Sequence, residues 1–223
     1  MSDAPLDRRP IAARDLKIVK ATASWMARKG FSANGISTAG MVCGLVAGTA
    51  LFLTTRVPEF TRVEWIVGAL FIQLRLLANM LDGMVAIESG TASKVGELFN
   101  EVPDRVSDSA ILIGLGYAAG GDVLLGFCAA LAAMMTAYVR AVGKGAGAPN
   151  EFCGPMAKQQ RMFLATIVSL FCAAAPVAWQ SFALGGRTFG VPQAALIVIF
   201  AGSVFTVLRR LSKIGARLRG GTP

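Results

Sequence analysis

Long apolar runs alternate along the chain with short polar or glycine-rich breaks, and the runs exceed what a soluble core strand or amphipathic helix needs. Five or six of them are long enough to cross about 30 Å of hydrocarbon once tilt and inward-facing polar residues are allowed for. The pattern predicts spans near residues 36–54, 63–81, 104–120, 122–142, 162–180 and 191–208. Pro58, Gly120-Gly121, Gly185-Gly186 and Pro192 mark short breaks on one side, and a longer break from Gly143 to Gly154 falls on the other. Ahead of the first span, residues 11–32 set Ile11, Leu16, Ile18, Val19, Trp25 and Met26 among basic residues. That is the pattern of an amphipathic helix lying on a membrane surface, with an ordinary cytosolic lead-in as the plainer alternative. The predicted fold is therefore all-α and integral to the membrane: six transmembrane helices preceded by an amphipathic interfacial helix. Residues 1–10 are expected to be disordered, 33–213 to form one six-span domain, and 214–223 to be a basic cytoplasmic tail. The first span follows a long charged segment and precedes no cleavage-type sequence, so it is expected to remain as an anchor.

Composition agrees with the pattern: 54% of residues are hydrophobic and 16% charged. The formal charge of +9 raises the question of nucleic acid, and the placement of the charge answers it. Seven of the 22 Lys and Arg precede the first span and five follow the last. Six more flank the two loops on that same side, whereas only Arg56, Arg62 and Arg187 lie opposite. This asymmetry predicts both termini in the cytoplasm of a bacterial-type inner membrane and anionic lipid, not nucleic acid, as the partner of the basic residues. Cys43, Cys128, Cys153 and Cys172 are scattered without ligand spacing, and histidine is absent. Zinc-type sites and histidine-based acid–base chemistry are thereby excluded, leaving carboxylates to carry any reaction.

The acidic residues are unevenly placed. Six of the 13, namely Asp82, Glu88, Glu97, Glu101, Asp104 and Asp108, fall between positions 82 and 108. On a helix, Glu97, Asn100, Glu101, Asp104 and Asp108 lie within an arc of about 100°. Asn79 and Asp82, three residues apart, share a face of the preceding helix, and Gly83 leaves room for backbone or a bulky ligand. Massed carboxylates at a membrane boundary repel each other, so either several stay protonated or a divalent cation sits among them. Oxygen donors alone favour a hard ion, Mg²⁺ or Mn²⁺, and two such helix ends facing each other suit a pyrophosphate. The plainer alternative is an acidic stretch that binds nothing or is neutralised by Arg75, Lys94 and Arg105.

Asn79-xx-Asp82-Gly83-xx-Ala86-Ile87, eight residues, then Gly96-xxx-Asn100-xxx-Asp104 resembles the signature of the CDP-alcohol phosphotransferases, DxxDGxxARx8GxxxDxxxD, with every gap preserved. The resemblance implies a six-span, generally homodimeric enzyme that moves a phosphatidyl group from CDP-diacylglycerol to a small alcohol and releases CMP. It implies metal binding at Asn79, Asp82, Asn100 and Asp104, with Asp104 also deprotonating the attacking hydroxyl. It implies nucleotide contacts at Gly83, Ser93 and Gly96, and at Asn34 and Ser37 in the polar start of the first span. Asp104-Arg105-Val106-Ser107-Asp108 is similar to the DRxSD form of phosphatidylinositol-phosphate synthase-like members, which implies acceptor binding by Asp108, Arg140, Lys158 and Arg161. Asn79, Asn100 and Ile87 depart from the signature. Each asparagine keeps an oxygen donor and loses a charge, which Glu97 or Glu101, flanking Asn100 on the same face, is expected to restore, with Glu101, next to Asn100 and one turn before Asp104, favoured as the metal ligand. Lys94 or Arg75 is expected to stand in for the arginine replaced by Ile87. Two other readings stay open: a degenerate member that binds nucleotide-lipid or partners other lipid enzymes, and a small transporter, which acids at span ends disfavour.

Overall fold

The computed structural model describes residues 16–91 and 94–220. The expected disorder at 1–10, residues 11–15, Ser93 and the side chains of Lys94 and Glu97 lie outside what is described. Seven helices follow in order: α1 (Lys17–Arg28), α2 (Ala33–Leu53), α3 (Thr61–Glu88), α4 (Lys94–Tyr117), α5 (Val123–Gly145), α6 (Lys158–Ala174) and α7 (Val191–Leu218). Two short strands, β1 (Ser181–Leu184) and β2 (Arg187–Gly190), pair as an antiparallel hairpin between α6 and α7.

Among the described residues, four helical stretches are long and apolar enough to cross a membrane: Ala33–Leu53, Pro58–Glu88, Val123–Gly145 and Val191–Leu218. The helices α4 and α6 occupy the places of the other two predicted spans. The first half of α4 carries the acidic residues, and α6 has 17 residues. The all-α expectation missed the hairpin. Gly185 and Gly186 form its two-residue turn with φ of 59° and 74°, backbone that glycine adopts freely and that matches the twist of paired strands. The fifth predicted span ran to residue 180, but α6 stops at Ala174. Ala175, before Pro176, is extended (φ −74°, ψ 148°), because the proline ring disfavours helical backbone in the preceding residue. At the other end of the chain, α7 continues through Leu218 into the segment expected to be tail.

Side chains of modest size let the helices close up. α2 packs on both α3 and α4, α6 on α3, and α5 on α4 and α7. Gly48 and Gly114 bring α2 and α4 into backbone contact, since a methyl group on Gly114 would lie 2.2 Å from the Gly48 carbonyl oxygen. Trp65, Ile72, Leu112, Leu115, Met162 and Ile199 fill the centre of the bundle. α1 lies against α3, where Ser24 donates to Glu88 Oε1 at 2.9 Å and Ala23 joins Leu81 and Val85 in a second apolar cluster.

This topology places the start of α2, the end of α3, the start of α4, the end of α5 and the start of α6 together, linked by the contacts described below. The loop between α5 and α6 closes over the same end. Glu151 in this loop accepts from the Cys153 N–H at 3.1 Å and faces Arg217 of α7 at 3.2 Å. Burial pushes the Glu151 carboxyl up, but the Cys153 N–H and the Arg217 guanidinium outweigh it and hold the group below its ordinary value. A lowered folded-state pKa stabilises the fold above the unfolded-state value and loses that contribution as pH falls through the carboxylate range. Thermal unfolding scans across that range are expected to show a decline in stability that is shallower in Glu151→Gln.

Candidate active site

The ends of α3 and α4 meet through charged side chains withdrawn from solvent. Asp82, Asp104 and Asp108 are 2%, 5% and 2% exposed, and Arg75 and Arg161 are 0% and 1% exposed. Carboxylates so deep require partners, because an unpaired buried charge is costly. Asp82 takes the Ser37 hydroxyl on Oδ2 at 2.6 Å and the Gly83 N–H on Oδ1 at 2.5 Å. Ser37 lies one turn into α2, so the first span supplies the hydroxyl that fixes the Asp82 carboxylate, while Asn34 is exposed in the first turn.

Asp104 sits among three cations. Arg75 Nη2 approaches Oδ1 at 3.2 Å, Arg105 Nη2 lies 3.6 Å from Oδ2, and the Lys158 ammonium binds Oδ2 directly. The same ammonium donates to Asn79 Oδ1 at 2.9 Å, joining α3, α4 and α6 at one point. Asp108, one turn further along α4, is gripped by Arg75 Nη2 at 2.5 Å and Arg161 Nη2 at 2.9 Å. Arg75 also donates through Nε to Ser107 Oγ at 3.0 Å and through Nη2 to the Asp104 carbonyl at 3.2 Å. These bonds brace α4 beside Pro103, which interrupts the helical hydrogen-bond ladder there.

A more open rim lies beside this core. Arg140 at the end of α5 forms an ion pair with Glu101 Oε1 and stands over the Phe152 ring in cation–π contact, 5.4 Å from guanidinium carbon to ring centroid. Arg105 reaches Glu101 Oε2 at 3.4 Å, and the Glu101 side chain is 47% exposed.

Several expectations change with this geometry. Glu101 gives one carboxylate oxygen to Arg140 and the other to Arg105, and so anchors Arg140 at the rim. Asp108 and Arg161 face each other instead of an open pocket, with Arg161 also donating to the Met156 carbonyl at 2.8 Å. Arg75 does not stand in for an arginine at position 87, because twelve residues of helix separate them by about 18 Å. Ile87 itself is 53% exposed. Arg75 is expected from the sequence only as a neutralising charge or as the stand-in for that arginine; an ionisable residue in an apolar run is a functional candidate by default, and here it holds Asp104 and Asp108. Phe152, an aromatic in a polar loop, carried no signal for its place over Arg140.

The donor set suits a hard divalent ion. Asn79, Asp82, Asn100 and Asp104 offer only oxygen, and the amide oxygen of Asn79 and a carboxylate oxygen of Asp104 already converge on one cationic group, Lys158 Nζ. Among the described residues no three His, Cys, Asp or Glu side chains cluster closely enough to form a metal centre by themselves, so the asparagine oxygens matter to the fit.

Comparisons with known proteins give the family and the fold. The chain is 27% identical over 208 residues to the phosphatidylinositol phosphate synthase of Streptomyces avermitilis, covering 87% of this chain and 77% of that protein. It is 27% identical over 150 residues to the archaetidylinositol phosphate synthase of Pyrococcus horikoshii, covering 66% of this chain and 74% of the relative. In fold it is similar to the Mycobacterium tuberculosis phosphatidylinositol phosphate synthase solved with CDP-DAG bound, with a TM-score of 0.69 and 20% identity over 89% of this chain and 94% of that one. The same enzyme solved in complex with manganese and citrate gives a TM-score of 0.69 at 18% identity, over 88% of each chain. The sequence model of the CDP-alcohol phosphatidyltransferases matches residues 31–208, most of the chain and all of the site just described, and the protein belongs to that family.

Proposed function

We propose that the chain transfers a phosphatidyl group from CDP-diacylglycerol to a hydroxyl of a phosphorylated polyol of the inositol phosphate type, releasing CMP. The observation that carries this reading is the convergence of Asn79, Asp104 and Lys158 beside the Ser37-held Asp82. The names of the relatives and the Asp104-Arg105-Val106-Ser107-Asp108 sequence support the acceptor class.

In this reading Asp104 accepts the proton of the acceptor hydroxyl. The hydroxyl oxygen attacks the phosphorus that bears the diacylglycerol, the bond from that phosphorus to the oxygen of the CMP phosphate breaks, and CMP leaves. Arg75 and Lys158 fix the Asp104 carboxylate, so its orientation is set before substrate arrives. Asp82 is oriented by Ser37 and Gly83. Mg²⁺ or Mn²⁺, held by Asn79, Asp82, Asn100 and Asp104, would neutralise the pyrophosphate and polarise its phosphorus. Asn34, Ser37, Gly83, Ser93 and Gly96 border the CDP group. Arg140, presented by Glu101 and Phe152, and the partly open Lys158 receive the acceptor phosphate, while Asp108 and Arg161 support them from behind.

The same reading has all six of α2 to α7 crossing the membrane within residues 33–213, α1 lying at the interface, and both termini and the site facing the cytoplasm. Trp25 and Phe31, half exposed with rings 5.9 Å apart, suit headgroup depth. A homodimer is proposed from family membership. The replacement of two acidic ligand positions by Asn79 and Asn100 favours a second reading, binding of the nucleotide-lipid without turnover. Incubating the purified protein with CDP-diacylglycerol, Mg²⁺ or Mn²⁺ and a panel of inositol phosphate, glycerol phosphate, inositol and serine separates the two. CMP release is expected with inositol phosphate, and no release with any acceptor contradicts turnover.

A further inference from the structure

We propose that this chain works with one divalent ion, and that the Lys158 ammonium is its second, built-in cation. The proposal rests on reading Asn79, Asp82, Asn100 and Asp104 as the cation-binding face. Four carboxylates in those places would carry four negative charges and balance two divalent ions. With asparagine at 79 and 100 the face keeps two charges. Lys158 Nζ sits where the difference falls, donating to the neutral Asn79 Oδ1 at 2.9 Å while it binds Asp104 Oδ2. An ammonium has three donors and no acceptor, so it bridges an amide oxygen and a carboxylate as a small cation does.

Charge balance in the buried network points the same way. Asp82, Asp104 and Asp108 face Arg75, Lys158 and Arg161, three negative charges against three positive. The pyrophosphate of a CDP-lipid brings two negative charges, which one divalent ion cancels. A second ion would leave two positive charges uncompensated at a site largely withdrawn from water, where like charges are expensive. Among the described side chains the rim adds one further positive charge, Arg105 and Arg140 against Glu101, and opposes a second ion still more. Of these three cations, Arg75 and Arg161 are sealed and Lys158 has a partly open side chain, 25% exposed, and so is the one that reaches substrate.

Mn²⁺ binding to the purified, detergent-solubilised protein tests this, followed by calorimetry and by the electron paramagnetic resonance of free Mn²⁺, with and without CDP-diacylglycerol. Wild type is expected to bind one ion per protomer. Lys158→Met, which frees Asp104 and removes a positive charge, is expected to bind Mn²⁺ at least about tenfold more tightly without substrate. Lys158→Arg keeps the charge and is expected to stay near wild type, and Asn79→Asp combined with Lys158→Met is expected to take up two ions. Two ions in the wild type, or no gain in affinity in Lys158→Met, overturns the proposal. Should Lys158→Met fail to purify as a folded protein, the wild-type stoichiometry decides alone. CMP release with two bound ions would retain the proposed activity and sink this inference. One ion with Lys158-dependent affinity but no CMP release would do the reverse.

Discussion

Asp104→Asn is expected to lower CMP release by about 10³-fold at saturating Mn²⁺, within the range general-base removal produces. The side chain keeps its size, so packing against α3 and α6 survives and the purified protein should elute like wild type. What is lost is the carboxylate that accepts the hydroxyl proton and that Arg75, Arg105 and Lys158 surround. Three positive groups would then face an amide, and Lys158 would lose its anionic partner while keeping Asn79. A chain that already carries asparagine at 79 and 100 shows that an amide can occupy these positions, which makes Asn the informative substitution at 104. A residual rate within tenfold of wild type would remove Asp104 from the role of base.

Asp108→Ala is expected to damage the fold more than any other single change in the site. Its carboxylate holds the sealed Arg75 and Arg161 at 2.5 and 2.9 Å, and removing it leaves both facing a void. Breaking such a buried pair from one side costs roughly 3–5 kcal/mol, because the remaining charge stays out of water without compensation. Here Arg161 loses its carboxylate partner outright while Arg75 keeps Asp104 at 3.2 Å, and Arg75 Nη1 and Arg161 Nε already lack hydrogen-bond partners. Arg75 also braces α4 at Ser107 and at the Asp104 carbonyl, so its release loosens the turn that presents Asp104. Thermal unfolding in detergent should therefore move down markedly in Asp108→Ala, and by less in Asp108→Asn, which retains one acceptor oxygen. Unchanged unfolding in both variants would mean that Asp108 is not the keystone of the arginine pair.

The positions of these residues were partly legible in the sequence. Asn79 with Asp82, and Asn100 with Asp104, are spaced by helical geometry, so each pair's shared face followed from local periodicity, while Gly96 and the joining of the two segments came from the resemblance to the family signature. The placement of α2, α3, α5 and α7 was legible for a similar reason, since an apolar run long enough to span hydrocarbon has few alternatives. The direction of individual side chains was not. Glu101 and Asp104 lie on one helical face, yet one turns to Arg140 and the other to Lys158, partners 39 and 54 residues away. No local rule reports such distant partners. Arg75 shows the opposite case: a guanidinium within an apolar run requires buried anions, and Asp104 and Asp108 supply them. The hairpin at Ser181–Gly190 was hidden because Gly185-Gly186 reads equally well as an open loop until the flanking residues are found to pair.

Phosphatidyl transfer itself is tested most directly by mass spectrometry of the lipid product after incubation with CDP-diacylglycerol, inositol phosphate and Mn²⁺. The expected result is a phosphatidylinositol phosphate that carries the acyl chains of the donor, forms in step with CMP, and is lost both on chelation of the metal and in Asp104→Asn. CDP-diacylglycerol recovered intact with every acceptor, from protein that binds it and elutes as a folded species, would contradict the account.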